Sequence, residues 1–83
     1  MFDLTKYVNE INAIAMENDM AWDIGRDMFI NNIEDAEMAN DKHFYHGADE
    51  VDYKALKVEW DKLSAQEKAD AKNAYNAWYR ARI

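Results

Sequence analysis

The chain contains no proline and only two glycines, Gly25 and Gly47, in its 83 residues. β-Hairpins and β-sandwiches need tight turns, and glycine and proline supply most of the backbone conformations that those turns require. A sequence so poor in turn residues favours helices joined by short polar connections. We therefore predict an all-α fold, a compact single-domain bundle of three to four short helices that spans residues 1–83.

Apolar residues at helical spacing predict the first two helices. The first is expected to run from Asp3, a candidate N-cap, to about Glu17. Residues 18–19 are a polar stop signal, and Gly25 leaves two alternatives, a helix end or a kinked continuation, of which we favour the end. The second helix is expected to fade near Asn40. The predicted core positions are Leu4, Tyr7, Val8, Ile11, Ile14 and Ala15 in the first helix and Met28, Phe29, Ile33 and Ala36 in the second.

Two further helices follow, and the last has the clearest start signal in the chain. Asp49 or Asp52 is placed to cap the third helix. The run SAQE at residues 64–67 has the form of a capping box, so the fourth helix is expected to begin at Ala65. Its Arg80 and Arg82 complement the negative end of the helix dipole. The predicted core positions are Tyr53, Leu56, Trp60 and Leu63 in the third helix and Ala71, Ala74, Tyr75, Trp78 and Tyr79 in the fourth.

Composition narrows the classes of protein to consider. Hydrophobic residues make up 49% of the chain, enough for a folded core despite a net charge of -7. The absence of cysteine excludes disulfides, a thiolate nucleophile and cysteine-ligated zinc. The opening residues MFDLTKYVNE lack the apolar run of a secretory signal, and no stretch approaches transmembrane length. We expect a complete, cytoplasmic protein with no membrane segment and no cofactor.

The stretch ANDKHFYHGADE, residues 39–50, holds both histidines of the chain. Histidine together with carboxylate is a plausible ligand set for a divalent metal. The spacing fits neither the two-histidine zinc motif nor the calcium-binding EF-hand loop, so we interpret the stretch as a helix connector anchored by Phe44 and Tyr45. The metal alternative would use His43, His46, Asp41 and Asp49.

Motifs of catalysis are also lacking. The sequence has neither a glycine-rich phosphate loop nor a nucleophile elbow, and its single serine, Ser64, is assigned to the capping box. We therefore expect a protein that is not an enzyme.

Charge is distributed unevenly along the chain. Residues 1–52 carry thirteen acids against three bases, a formal charge of -10, whereas residues 53–83 carry four acids against seven bases, a charge of +3. Five carboxylates of the second helical region fall within about 40° of a common line at about 100° per residue, although Ile30 intrudes on the same face and the helix must pass through Gly25. These residues, the acidic stripe, are Asp23, Asp27, Glu34, Glu37 and Asp41. A solvated helix face is the alternative interpretation.

A strongly acidic surface repels nucleic acid and anionic membranes and attracts basic proteins. The commonest basic protein surfaces are those that hold nucleic acid. In general character the chain resembles the small, acidic, helical inhibitors encoded by phages, which block restriction or CRISPR enzymes by occupying their DNA channel. This resemblance of composition implies a non-enzymatic, nucleic-acid-mimic inhibitor of a host defence enzyme that does not bind nucleic acid itself.

A second resemblance lies in EWDKLSAQEKADAKNAY, about a fifth of the chain. Its Trp60, Leu63, Ser64, Glu67 and Lys68 are spaced as at the junction of the second and third helices of HMG boxes, a three-helix fold that bends DNA. The resemblance implies an HMG-box-like DNA-binding domain. The sequence departs from that family where an aromatic residue usually follows the lysine, because residue 71 is alanine, and in its net negative charge. We interpret the lysine set as solubilising or orienting; it comprises Lys54, Lys57, Lys68 and Lys72.

The last helix offers an alternative site for a partner. Tryptophan, tyrosine and arginine dominate interface hot spots, and four such residues recur here at helical spacing. Core packing is the interpretation that we favour, since a chain of this size needs its large aromatic side chains for burial. The alternative is a helical interaction or assembly module that binds a partner, or a second copy as a homodimer, through an aromatic face of Tyr75, Trp78, Tyr79 and Arg82.

The connector interpretation of residues 39–50 predicts indifference to metals. Zinc, nickel or manganese should leave the melting temperature unchanged, because a metal ligated by the native state would stabilise that state. Thermal melts with each metal and with a chelator measure this. A saturable rise in melting temperature that disappears in the His43→Ala/His46→Ala variant would establish the metal site instead.

Overall fold

The computed structural model describes residues 2–36 and 51–82, and every regular element in these two ranges is helical. A 3₁₀ turn, Leu4–Tyr7, leads into α1, Val8–Glu17, which is followed by α2, Trp22–Glu34. After the second range begins, α3 spans Tyr53–Trp60 and α4 spans Ala65–Arg80. The predicted all-α class is confirmed. None of the described helices is both long and apolar enough to cross a membrane.

Asp3 caps the 3₁₀ turn, whereas α1 and α2 begin without a side-chain cap. The Asp3 carboxylate accepts hydrogen bonds from the Thr5 hydroxyl at 2.6 Å and from the Thr5 backbone N–H at 3.0 Å, and these bonds lower the pKa of Asp3. The first helix ends at Glu17, as predicted, and α2 starts afresh at Trp22. The predicted break between the two helices is therefore confirmed, and Gly25 lies inside α2.

The end of α2 differs from the prediction. The helix stops at Glu34, because Asp35 adopts φ -109° and ψ 46°, whereas the sequence pattern suggested fading near Asn40, which lies outside the described residues. Asparagine and aspartate weaken the last turn, because their side chains compete for backbone hydrogen bonds. Phe29, Ile33 and Ala36 are buried as predicted, and Met28 is half-buried.

The predicted caps of α3 and α4 are present. Asp52, and not Asp49 outside the described ranges, caps α3 by accepting from Ala55 N–H at 3.2 Å. Both bonds of the capping box exist, from Ser64 N–H to Glu67 Oε1 at 2.9 Å and from Glu67 N–H to Ser64 Oγ at 3.1 Å. The bond from the Ser64 N–H is the main cause that lowers the pKa of the Glu67 carboxyl.

The core positions of α4 were predicted with one error. Ala71 and Tyr75 are buried, whereas Ala74 is exposed. Ala74 lies about 100° round the helix from Tyr75, the rotation of one residue, which places it beyond the edge of the buried face.

Aromatic rings hold the described elements together. Phe2 meets Trp60 edge to face with ring centroids 5.2 Å apart, and Phe29 contacts both Tyr7, at 5.5 Å, and Tyr53, at 5.6 Å. Such pairs add about 0.5–1.5 kcal/mol each to the gain from buried area. The core cluster comprises Phe2, Leu4, Ile11, Ile14, Phe29, Ile30, Ile33, Ala36, Tyr53, Trp60, Ala71 and Tyr75.

Gly25 sets the distance between α1 and α2. A Cβ atom at this position would lie 2.7 Å from Ala15 Cβ and 3.0 Å from the Ile11 carbonyl oxygen, both closer than ordinary van der Waals contact. Neither neighbour is the end of a flexible side chain, so the two helices would have to move apart to admit a methyl group. The glycine is present for close helix packing.

Gly25→Ala is expected to lower the free energy of unfolding by up to about 2 kcal/mol. Overpacking costs about 1–3 kcal/mol, and the gain of about 1 kcal/mol that alanine brings to a helix interior offsets part of that cost. Urea denaturation measures the change. In the control, Ala15→Gly combined with Gly25→Ala moves the methyl group to the other helix and should recover part of the loss. A single Gly25→Ala variant more stable than the natural protein would contradict the packing role.

Candidate acidic interaction surface

Helix α2 carries the described part of the acidic stripe. Asp23, Asp27 and Glu34 are all exposed. Their positions along the helix place them within about 40° of one another. Because α2 begins at Trp22 and continues through Gly25, the continuity that the stripe requires is present. The helix ends at Glu34, so α2 contributes three of the five predicted carboxylates, and the other two, Glu37 and Asp41, lie outside the described residues.

The stripe runs along the border between the exposed and buried faces of α2. Ile30, which shares its direction, is only 3% exposed and belongs to the core. At this border Glu34 lies close enough to α3 to accept a hydrogen bond from it.

Two of the three carboxylates bind groups within the protein. Glu34 Oε2 accepts a hydrogen bond of 3.3 Å from the indole N–H of Trp60, a buried residue of α3. Asp27 pairs at 2.9 Å with Arg26, whose guanidinium also donates to Asn76 Oδ1 on α4. Glu34 thus joins α2 directly to α3, whereas Asp27 pairs with its neighbour Arg26, and the Arg26 guanidinium reaches α4.

Asp23 acts only locally. Its carboxylate accepts from the adjacent Ile24 N–H at 3.0 Å in the first turn of α2, where the helix dipole favours a negative charge. No described lysine or arginine pairs with it, since the ion pairs of the described ranges are Arg26–Asp27 and Lys57–Asp61.

The opposite end of the stripe is balanced by positive charge. Glu34 borders an open groove of about 640 Å³ whose other walls include Lys54 and Lys57 of α3. Lys57 also pairs with Asp61 at 3.2 Å. Mixed charges cancel one another at short range, so the negative field of α2 is strongest toward its N-terminus.

Toward that N-terminus the chain turns from α1 into α2 through residues 16–24, which we call the α1–α2 corner. Glu17, Asp19 and Asp23 are exposed there, and none has an ion-pair partner among the described residues. Three apolar side chains of the corner, Met16, Met20 and Ile24, are exposed as well. Helical spacing does not indicate this surface, because it relates only residues of the same helix. The signal that finds it is the alternation of apolar and acidic residues across the predicted helix break.

The aromatic face contributes chiefly to packing. Tyr75 is fully buried, and the rings of Tyr79 and Trp22 stack with centroids 4.6 Å apart and planes 15° apart. Burial raises the pKa of Tyr75 to about 12. Trp78 is half-buried, with the Arg82 guanidinium 4.2 Å from its ring centroid. Of the four predicted residues, only Trp78, Tyr79 and Arg82 reach the surface.

The HMG-like segment forms the corner between α3 and α4. Its tryptophan, Trp60, is buried in the core, and Lys68 Nζ lies 5.6 Å from the centroid of the same ring. This distance is within the range of a cation–π contact. Lys68 therefore covers an aromatic side chain, whereas Lys54 and Lys57 border the groove beside Glu34.

The metal alternative cannot be placed. His43, His46, Asp41, Asp49 and the proposed anchors Phe44 and Tyr45 all lie outside the described residues. Within residues 2–36 and 51–82, no group of three or more histidine or carboxylate side chains is arranged to hold a metal ion.

Comparison with known proteins gives no relative on which to base a function. No family model, curated protein or solved structure matches the chain. The support for a function therefore lies in the surface itself.

Two variants of Glu34 should separate its hydrogen bond from its charge. Glu34→Ala leaves the buried Trp60 indole without its acceptor and should lower the free energy of unfolding by about 1 kcal/mol. Glu34→Gln removes the charge but keeps an oxygen acceptor and should cost much less. Urea denaturation compares the two, with Asp23→Ala and Asp23→Asn as the matched pair that lacks a long-range partner. Equal losses for the two Glu34 variants would show that the indole does not depend on residue 34.

Proposed function

We propose that this protein acts by binding, without catalysis, and that its acidic N-terminal half docks on a basic surface of a partner protein. The surface of the partner is of the kind that otherwise holds nucleic acid, so the protein would act as a nucleic-acid mimic and inhibitor in the manner of phage-encoded proteins that block host defence enzymes. Such a role belongs in the cytoplasm, where those enzymes meet DNA.

The observation that supports this proposal most strongly is the unequal charge of the two described ranges. Residues 2–36 bear eight acids against two bases, a formal charge of -6, whereas residues 51–82 bear five acids against seven bases, a charge of +2. Of the two bases in the first range, Arg26 has a side chain only 12% exposed and is already paired with Asp27. The N-terminal half therefore presents a net negative field to an approaching protein, strongest toward the N-terminus of α2.

The placement of the carboxylates supports docking on an extended basic site. From Asp23 to Glu34 the stripe extends about 16 Å along α2, at a rise of about 1.5 Å per residue. The unpaired acids of the α1–α2 corner continue it beyond the N-terminus of the helix. A row of fixed negative charges steers association with a basic channel and repels nucleic acid and anionic membranes.

The rival proposal is an interaction module that uses the aromatic face. Trp78 and Arg82 favour it, because they are stacked on each other at the surface and both residue types are common in hot spots. An HMG-box-like role would instead require direct binding to DNA.

The charges can be tested with a triple variant that preserves side-chain shape. Asp23→Asn, Asp27→Asn and Glu34→Gln together remove three negative charges and should weaken binding to the partner recovered from a cell lysate at least tenfold at low salt. Binding should fall steeply as salt rises, because the Debye length shortens to about 8 Å at physiological ionic strength. Duplex DNA should compete for the partner. Calorimetric titration of the purified partner measures each effect.

A second triple serves as the control for loss of charge alone. Glu59→Gln, Asp61→Asn and Asp70→Asn remove as many charges from the C-terminal half, leave the capping side chains of Asp52, Ser64 and Glu67 in place and should change binding little. Equal effects of the two triples would argue against a localised acidic surface. Loss of binding in Trp78→Ala, with both triples unaffected, would favour the aromatic face, and direct binding of the protein to duplex DNA would favour the HMG-like role.

A further inference from the structure

We propose that the α1–α2 corner is the part of the acidic half that the partner contacts, and that an amphipathic, basic segment of the partner protein binds there. Apolar side chains of that segment would cover Met16, Met20 and Ile24, and its lysines or arginines would pair with the surrounding carboxylates. The inference rests on the proposed function for the sign of the partner's charge. It adds a site of contact and an apolar component of affinity that a purely electrostatic mimic would lack.

Exposed apolar surface is concentrated at this corner. The large hydrophobic side chains that are exposed in the described ranges are Met16 at 82%, Met20 at 47%, Ile24 at 44% and Val58 at 60%, so three of the four belong to residues 16–24. Clustered exposed apolar residues rimmed by polar ones are typical of interaction sites. Methionine suits such a site, because its flexible thioether adapts to different apolar partners.

The corner is held in a fixed shape before any partner arrives. Met20 N–H donates to the Ala15 carbonyl at 2.8 Å, and the Asn18 side-chain amide donates to the Ile14 carbonyl at 2.8 Å. The close contact between Gly25 and Ala15 fixes α2 against α1 immediately below the corner. A partner would therefore bind a preformed projection and lose little affinity to ordering the chain.

The acidic residues of the corner favour a basic segment as the binding partner. Glu17 lies at the C-terminal end of α1, where the helix dipole disfavours an acid. Asp19 has φ 54°, a left-handed conformation that glycine adopts at lower cost. Together with Asp23 they make every charged side chain within residues 16–24 acidic. An anionic membrane or nucleic acid would be repelled by these carboxylates. A basic amphipathic segment would pair with the carboxylates and cover the exposed apolar side chains.

Val58 provides the contrast within the same molecule. It is exposed to a similar degree, yet it borders the groove that is lined by Lys54 and Lys57 as well as by acids. An exposed apolar residue in a mixed-charge setting offers a basic segment no electrostatic gain, so Val58 supplies the matched control.

The probe for the experiment is a short synthetic helix of leucine and lysine with all its leucines on one face. The full-length protein, labelled for NMR, should bind it saturably, with the largest backbone shifts at residues 16–24. Two control peptides, one of the same composition with scrambled order and one with glutamate replacing lysine, should bind at least tenfold more weakly. Met16→Gln with Met20→Gln should raise the Kd at least about tenfold, because burial of one exposed methionine accounts for that much affinity, whereas Val58→Gln should not.

The outcomes separate this inference from the proposed function. If the scrambled peptide binds as tightly as the amphipathic one, or the methionine variant is unimpaired, the corner makes no apolar contact and the inference is overturned, while electrostatic docking stands. If the glutamate peptide binds as well as the lysine peptide, the proposed function fails instead. Four other results would each show that the corner is not a site for a basic segment. They are chemical shifts centred on α4, the absence of saturable peptide binding, binding of the protein to neutral phosphatidylcholine vesicles, and self-association of the protein that the methionine variant abolishes.

Discussion

The contact between Gly25 and Ala15 is the constraint on which the rest of the described structure depends. It brings α1 and α2 close enough for Ile11 and Ile14 to reach the same core as Phe29 and Ile33. Once these helices are paired, α3 and α4 close the core with Trp60 and Tyr75, two of its largest fully buried side chains. A chain of this size has few such contacts to lose, because small domains bury a smaller fraction of their surface and keep only a few kcal/mol of net stability.

Local signals in the sequence determine most of what could be predicted. The capping box at Ser64 and the cap at Asp52 use residues only three positions apart, so the pattern alone places the starts of α3 and α4. The break after Glu17 is equally local. Contacts between distant residues could not be predicted in this way. Gly25 has the pattern of a break signal, whereas its role in helix packing depends on its contact with α1.

In the candidate surface, too, local features could be predicted from the sequence and contacts between distant residues could not. Helical spacing correctly placed Asp23, Asp27 and Glu34 on one exposed line, but it could not show that Glu34 binds Trp60, which lies 26 positions away. Nor could it show that the Arg26 side chain would bridge α2 and α4. The α1–α2 corner was overlooked because its apolar and acidic residues belong to two helices and the loop between them. Surfaces assembled across a helix break need the fold before they can be recognised.

The hydrogen bond between Glu34 and Trp60 divides the acidic surface into two parts with different freedom to evolve. The Glu34 carboxylate is the acceptor for a buried indole, so sequence change at this position is limited by folding. Glu17 and Asp19 have no such tie among the described residues, and substitutions there alter the outer surface alone. Under the proposed function, a lineage that meets a changing partner can therefore alter the residues of the corner while the helices that support it stay the same.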